Sequence, residues 1–252
     1  MLEQIKSVVR DAGLIILQAH NIESSIESKQ GSANFVTKYD IEVQNYLYQH
    51  LSILFPNADF LGEEDLQRKT VDSEYCFIID PIDGTTNFIL NYKHSAISVA
   101  LMHNNEIEFG VVYNPYLNEL FYAEKGKGAH LNDKPLKVHN LALKDGIVGF
   151  GTSPYYPEKA DETFSLAKKL FDLALDLRRT GSAALDICYM AANRYVLYFE
   201  FYLSPWDFAA ASLILTEAGG VIKTLEQNEL NYMTPCSVVA ANPVSYQDFL
   251  KA

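Results

Sequence analysis

The chain has 252 residues, 48% of them hydrophobic and 21% charged, which is ordinary globular usage with ample apolar surface for a core and excludes a disordered polymer. Thirty-two Asp and Glu against twenty Lys and Arg leave a formal net charge of −12, which repels nucleic-acid phosphates and argues against a DNA or RNA partner. The most apolar run, Phe208 to Thr216, is closed by Asp207 and Glu217 far short of a membrane span. The charged start Met1 to Lys6 carries no export signal, and Cys76, Cys188 and Cys236 form no CxxC pair. Together these features predict a cytoplasmic protein with reduced thiols and no membrane partner.

In chain order, Leu2, Ile5, Val9, Ala12, Ile16 and Ala19 recur at spacings of three and four and predict an amphipathic helix lying on a core. Gly31 to Asn34 reads as a turn. A second helix carries Val43, Leu47, Leu51 and Leu54, starts at a capping box from Thr37 to Asp40 and stops at Pro56. The pattern then changes to short runs of β-branched and aromatic residues: Tyr75 to Ile79, Ile97 to Met102, Ile107 to Tyr113 and Glu119 to Ala123. Turns at Asn104-Asn105, Asn114 to Asn118 and Gly126 to Gly128 join them as a mostly antiparallel meander. Beyond this, a helix is predicted from Glu158 to Ala174, and strands from Leu175 to Arg178, Tyr195 to Tyr202, Val221 to Ile222 and Val238 to Ala240. Helices from Ser182 to Ala191 and from Pro205 to Ala218, the latter ended by Gly219-Gly220, complete an α+β chain with helices layered against more than one sheet. One domain spanning residues 1–252 is expected, in two closely packed lobes dividing near residues 145–180.

Three acidic segments carry chemistry. Asp80-Pro81-Ile82-Asp83-Gly84-Thr85-Thr86-Asn87 follows the apolar strand Phe77-Ile78-Ile79 and opens a helix. Two carboxylates there suit Mg²⁺, and the Gly84 and Thr85 amides suit a phosphate; a tight turn in which Asp83 only caps a helix is the plain alternative. An EF-hand loop starting at Asp80 fails, because Thr85 and Asn91 stand where it needs Gly and Glu. No P-loop, HExxH or GxSxG run occurs, Gly149-Phe150-Gly151 lacks the third glycine of a dinucleotide loop, and six dispersed histidines give a zinc site little support. Gly62-Glu63-Glu64-Asp65 reads either as a solvated charge run or as a ligand loop. Ser204-Pro205-Trp206-Asp207 reads either as a capping box or as a further metal carboxylate, with Trp206 as a packing anchor.

These segments, in this order and at this spacing, together with Ala209, Ala210 and Glu217-Ala218-Gly219-Gly220, resemble the inositol monophosphatase family of lithium-sensitive, Mg²⁺-dependent phosphatases. The resemblance runs from about Lys29 to Asn242 and implies a layered αβαβα sandwich, a homodimer, two or three Mg²⁺ ions per site and inhibition by Li⁺. It also implies that Glu63, Asp80, the carbonyl of Ile82, Asp83 and Asp207 are metal ligands. Thr85 with Asp40, alongside Glu63, would act on the attacking water, and Lys29 and Glu64 would lend support. Asp83, Gly84, Thr85, Gly181, Ser182, Ala183 and Glu200 would meet the substrate. One stretch departs from the family: the usual Gly-Arg-x-x-Asp-Gly approach to Glu200 is replaced by Asn193-Arg194-Tyr195-Val196-Leu197-Tyr198.

The activity implied is hydrolysis of a small polyol or sugar phosphate, myo-inositol 1-phosphate first. Fructose 1,6-bisphosphate, histidinol phosphate and 3′-phosphoadenosine 5′-phosphate are the competing substrates, and the Thr86-Asn87-Phe88 continuation argues against the last. A catalytically silent metal-binding regulatory protein is the reading from another class.

Overall fold

The computed structural model describes residues 1–22, 26–28, 35–65 and 70–251. Lys29 and the turn expected at Gly31 to Asn34 lie outside the described residues. Two helices, α1 (Leu2–Gln18) and α2 (Lys38–Leu54), form an outer layer. Ile5, Val9, Ala12 and Ile16 of α1 and Val43, Leu47 and Leu51 of α2 are buried, as their spacing predicts. The Thr37–Asp40 capping box starts α2, and a small antiparallel pair, β1 (Ile26–Ser28) with β2 (Phe35–Thr37), precedes it.

These helices cover a seven-stranded sheet whose strands lie in sequence order: β3 (Asp59–Gly62), β4 (Tyr75–Asp83), β5 (Ala96–His103), β6 (Glu106–Asn114), β7 (Glu119–Glu124), β8 (Ala129–Leu131) and β9 (Lys134–Leu136). Only β3 and β4 run parallel in it. A short helix, α3 (Thr85–Ile89), follows β4 directly.

The second sheet has five strands in the order β11-β10-β12-β14-β13. They are β10 (Ile147–Phe150), β11 (Asp176–Arg178), β12 (Leu197–Leu203), β13 (Val221–Lys223) and β14 (Cys236–Ala241). Here β10 pairs parallel with both β11 and β12, so this sheet is mixed rather than antiparallel. The reason lies in the connections: α4 (Ala160–Phe171) joins β10 to β11 and α5 (Ala183–Ala191) joins β11 to β12, and a helical crossover returns a strand in the same direction. Helix α6 (Pro205–Glu217) leads from β12 to β13, and α7 (Pro243–Lys251) ends the chain.

Strand alternation sorts the core into three layers. Phe77 and Ile79 of β4 and Ile97, Val99 and Leu101 of β5 face α1 and α2. Their neighbours Cys76, Ile78, Ala96 and Ala100 face α5 and α6, which also receive Tyr198, Val238 and Ala240 from the second sheet. The far face of that sheet, through Val148, Leu197, Phe199, Val239 and Ala241, packs on Ala167 and Leu170 of α4 and Tyr246 of α7. The result is α, β, α, β, α, with α6 buried on all sides, as a helix apolar all round must be. Gly219, at φ +89, closes α6 in the left-handed conformation a glycine adopts freely.

The inner face of the first sheet carries small side chains so that α6 can approach. At Gly110 of β6 an added methyl would lie 2.4 Å from the Ala210 carbonyl oxygen, a clash between two fixed backbones. Gly110→Ala is expected to destabilise the fold by about 1–3 kcal/mol, read as a lower urea midpoint at unchanged slope. The three cysteines are unpaired; Cys76 and Cys188 are buried, and burial pushes the Cys76 thiol up to about 12. Among the described residues no helix is long and apolar enough to cross a membrane.

Candidate active site

Strand β4 does not end at Ile79. It continues through Asp80 to Asp83 with an irregular register, Asp80 pairing Ser98 and Asp83 pairing Ala96. Three steps along β4 therefore oppose two along β5, which is one inserted residue, a β-bulge. In a regular strand, residues three apart face opposite ways; the bulge turns Asp83 back to the face that Asp80 shares with Ile78 and sends Ile82 into the core under α1 and α2. Asp80 bonds inward on this bend, its Oδ1 accepting from Ile82 N at 2.9 Å.

Asp207 arrives from the opposite side, in the first turn of α6. Its Oδ2 accepts from Ser204 N at 2.7 Å, so the capping box exists, yet Asp207 also meets the two strand carboxylates. One oxygen each from Asp80, Asp83 and Asp207 lie within 4.8 Å of one another. The capping box of Ser204 to Asp207 is thus present, and the same carboxylate lies where it could also hold a metal. Glu63 follows β3, its N–H donating to Ile79 O at 3.1 Å, and its side chain shares a hydrogen bond with the Asp80 carboxyl.

Burial and mutual repulsion both act on these groups. Asp80 is held well above the ordinary carboxylate range by burial, then by Glu63, Asp83 and Asp207. Burial likewise raises Asp207, with Asp83 and Glu63 adding to it. Asp83 is pushed up to about 7 by burial, against donors from Ser182 Oγ at 2.5 Å and Ala184 N at 2.8 Å. Among the described residues, no cation is among the groups that dominate these three environments. To stay ionised, carboxylates this close need a positive charge between them, and an all-oxygen set is the donor chemistry of a hard divalent ion such as Mg²⁺. The residues present therefore fit such an ion.

Thr85 opens α3 beside this cluster. Its Oγ1 lies 3.2 Å from Asp40 Oδ1 and 3.1 Å from Ile82 O, while Asp40 Oδ2 accepts from Thr37 N at 2.7 Å and Thr37 Oγ1 at 2.6 Å. The capping box of α2 thereby fixes the carboxylate that Thr85 meets. Gly84, at φ +89, makes the sharp turn between strand and helix, and a side chain there would press on the carbonyls of Gly181 and His94. The amide of Asn87 donates to His94 O at 2.7 Å and to Thr180 O at 2.9 Å and ties this turn to the loop before α5. Ser182 is the N-cap of that helix, and its hydroxyl is the one on Asp83.

A cavity of about 750 Å³ spans the cluster; Gly84, Thr85, Gly181, Ser182, Ala183 and Glu200 line it. Buried Glu200 accepts from Tyr198 Oη at 2.6 Å and from Ser153 N at 2.7 Å. Burial raises its pKa, while the Tyr198 and Ser153 donors and the Arg179 charge lower it. An added methyl on Gly151 would lie 1.9 Å from its carboxylate, so that glycine exists for Glu200 and not for a dinucleotide. Glu64 lies outside the cavity lining, its N–H held by Gln44 Oε1 at 3.0 Å. Trp206 is half-buried against the inner core and also borders the cavity.

A profile of the inositol monophosphatase family matches residues 1–252. The chain belongs to the inositol monophosphatase family. Among its relatives in the family, Nus factor SuhB of Escherichia coli is 37% identical over 96% of this chain and 91% of its own length. The solved suhB extragenic suppressor protein of Bartonella henselae is 31% identical, covers 97% of this chain and 95% of its own and superposes with a TM-score of 0.89. The IMPase of Thermotoga maritima is 29% identical over 98% and 93%, with a TM-score of 0.86. In the stretch that departs from family usage, Val196 and Leu197 sit in the layer under α4 and α7, while Tyr195 and Tyr198 turn to the inner core and Tyr198 donates to Glu200.

Tyr198, Ser153, Arg179 and Asp186 also line the cavity wall, and none of them belongs to a motif in the sequence. Tyr198 carried a signal, since alternate residues of a strand share a face and Glu200 was already marked. Ser153 and Arg179 lie on loops and carried none. Asp186 is a buried acid on α5, raised well above the ordinary range by burial, with Thr180 Oγ1 donating to it at 2.6 Å.

Proposed function

We propose that the chain is a Mg²⁺-dependent phosphomonoesterase of small polyol or sugar phosphates, with myo-inositol 1-phosphate as the first substrate, working in the cytoplasm as a homodimer. The observation that carries this is the meeting of buried Asp80 and Asp83 with half-buried Asp207 next to the Thr85–Asp40 pair. Glu63, Asp80, the Ile82 carbonyl, Asp83 and Asp207 would hold the metal. Bound there, Mg²⁺ supplies Lewis acidity toward phosphate and a water of lowered pKa.

The residues of the chain do the rest. The hydrogen of Thr85 Oγ1 is directed to Asp40 or to Ile82 O, so its lone pair is available to a water proton. Water attacks phosphorus in line with the ester oxygen, the water proton passes toward the Thr85–Asp40 pair, and the P–O ester bond breaks as the leaving oxygen takes a proton from solvent water to become the polyol hydroxyl. Glu200, held by Tyr198 and Ser153, accepts a hydroxyl of the polyol and orients it. Li⁺, a competitor for a hard oxygen site, is expected to inhibit.

A second reading rests on the name of the SuhB relatives, Nus factors: a binding role beside phosphatase action or in its place. The acidity of the chain speaks against direct contact with nucleic acid, but these relatives lend no support to the expectation of no nucleic-acid partner. A phosphate-release screen with Mg²⁺ over myo-inositol 1-phosphate, fructose 1,6-bisphosphate, histidinol phosphate and 3′-phosphoadenosine 5′-phosphate, with and without Li⁺, separates the two. Release that is fastest from the inositol phosphate and suppressed by Li⁺ supports the phosphatase. A protein that binds Mg²⁺ yet releases phosphate from none of them belongs to the binding class.

A further inference from the structure

Asp40, Gln44 and Tyr48 stand four residues apart on α2 and share one face of the helix. Asp40 uses that face to meet Thr85. The other two reach the loop that follows β3. Asp65 Oδ2 accepts from Tyr48 Oη at 2.9 Å and from Gly62 N at 3.1 Å, Asp65 Oδ1 accepts from Gln44 Nε2 at 3.3 Å, and Gln44 Oε1 accepts from Glu64 N at 3.0 Å. With Glu63 N on Ile79 O, three successive amides, 62 to 64, are all tied down. Close approach is built in as well: a methyl on Gly62 would lie 2.3 Å from Tyr48 Oη and 2.4 Å from Gln44 Oε1.

We propose that Gln44, Tyr48 and Asp65 are positioning residues that lock the backbone on both sides of Glu63, so that its carboxylate is presented to the metal site in one orientation. Asp65 is then neither a ligand nor part of a solvated charge run. It is the acceptor around which the ligand loop is folded, and α2 sets the Thr85 partner and the Glu63 loop from a single rigid face. The proposal rests on the reading of Glu63 as a metal ligand.

The test is calorimetric titration of Mg²⁺ into the metal-stripped protein. Removing such outer support weakens a metal site by about tenfold or more, and that loss is expected for Asp65→Ala, with a smaller loss for Tyr48→Phe. Asp65→Asn keeps an oxygen for Gly62 N and Tyr48 Oη and is expected to recover most of the affinity. At saturating Mg²⁺, kcat of the variants returns to within about twofold of the wild type, which a lost catalytic group would not allow. Should Asp65→Ala fail to fold, Tyr48→Phe, which keeps the ring and its packing, decides. Wild-type affinity in Tyr48→Phe and Asp65→Ala alike overturns the proposal while leaving Glu63 a ligand. Absence of Mg²⁺ binding in the wild type overturns the metal reading and this proposal with it.

Discussion

Asp80→Asn is expected to lower phosphate release at least about a hundredfold, the order of loss when one preorganised electrostatic contact is removed, and to make the metal-free protein more stable. Both effects come from one cause. Asp80 is buried among Glu63, Asp83 and Asp207, and without a cation its negative charge is opposed by burial and by each of them. Asparagine keeps the shape and an oxygen for Ile82 N but removes the charge. The melting temperature of the stripped protein should rise by about 2–4 °C for each kcal/mol of repulsion relieved. A variant that keeps wild-type turnover, or that melts lower when metal-free, contradicts this account of Asp80.

Thr85→Ala is expected to lower kcat by about a hundredfold to ten-thousandfold, the usual contribution of a positioned proton acceptor, and to leave KM nearly unchanged. The hydroxyl sits between Asp40 and Ile82 O, next to the carboxylates but outside their set, so its loss removes proton handling and not substrate affinity. Thr85→Ser should restore most of the rate. Asp40→Asn is a harsher change, because Asp40 also accepts from Thr37 at the start of α2 and its loss weakens that cap. Steady-state kinetics of Thr85→Ala decides the matter: a raised KM at unchanged kcat would make Thr85 a substrate contact only.

Much of this site was legible in the sequence because its residues stand where elements begin or end. Asp40 and Asp207 close capping boxes, Glu63 follows a strand, and Asp83-Gly84-Thr85 turns a strand into a helix. Each position has a local signature for the element it starts or ends, while the pairing of Asp40 with Thr85 and the ligand roles of Glu63 and Asp207 were implied only by the family resemblance. The bulge between Asp80 and Asp83 has none, because register is set by the partner strand, and without it these two carboxylates would face opposite ways. The same limit hid the parallel pairing of β10, a four-residue strand whose pairings follow from the helical crossovers through α4 and α5. Gln44 and Asp65 were illegible for another reason: polar residues on an exposed-looking helix and in an acidic run reveal their roles only through partners distant in sequence. Leu197, in the stretch that departs from family usage, is sent by strand alternation to the outer layer and away from the pocket.

Asp80, Asp83 and Asp207 are folded together at an electrostatic cost that protonation relieves and that a bound divalent cation would relieve as well. Asp83 has a folded-state pKa raised to about 7, and Asp80 and Asp207 are also raised, so the folded protein binds more protons than the unfolded chain above the ordinary carboxylate range. Stability of the metal-free protein must therefore fall as pH rises from about 4 to about 7 and the coupled carboxylates lose their protons. The deciding measurement is the melting temperature at pH 5 and at pH 8, with the metal stripped and with Mg²⁺ restored. The predicted result is a metal-free protein that melts markedly lower at pH 8 than at pH 5, with Mg²⁺ abolishing most of the difference. Equal melting at both pH values without metal, or no response to Mg²⁺ at pH 8, would contradict the claim that this cluster is a metal site.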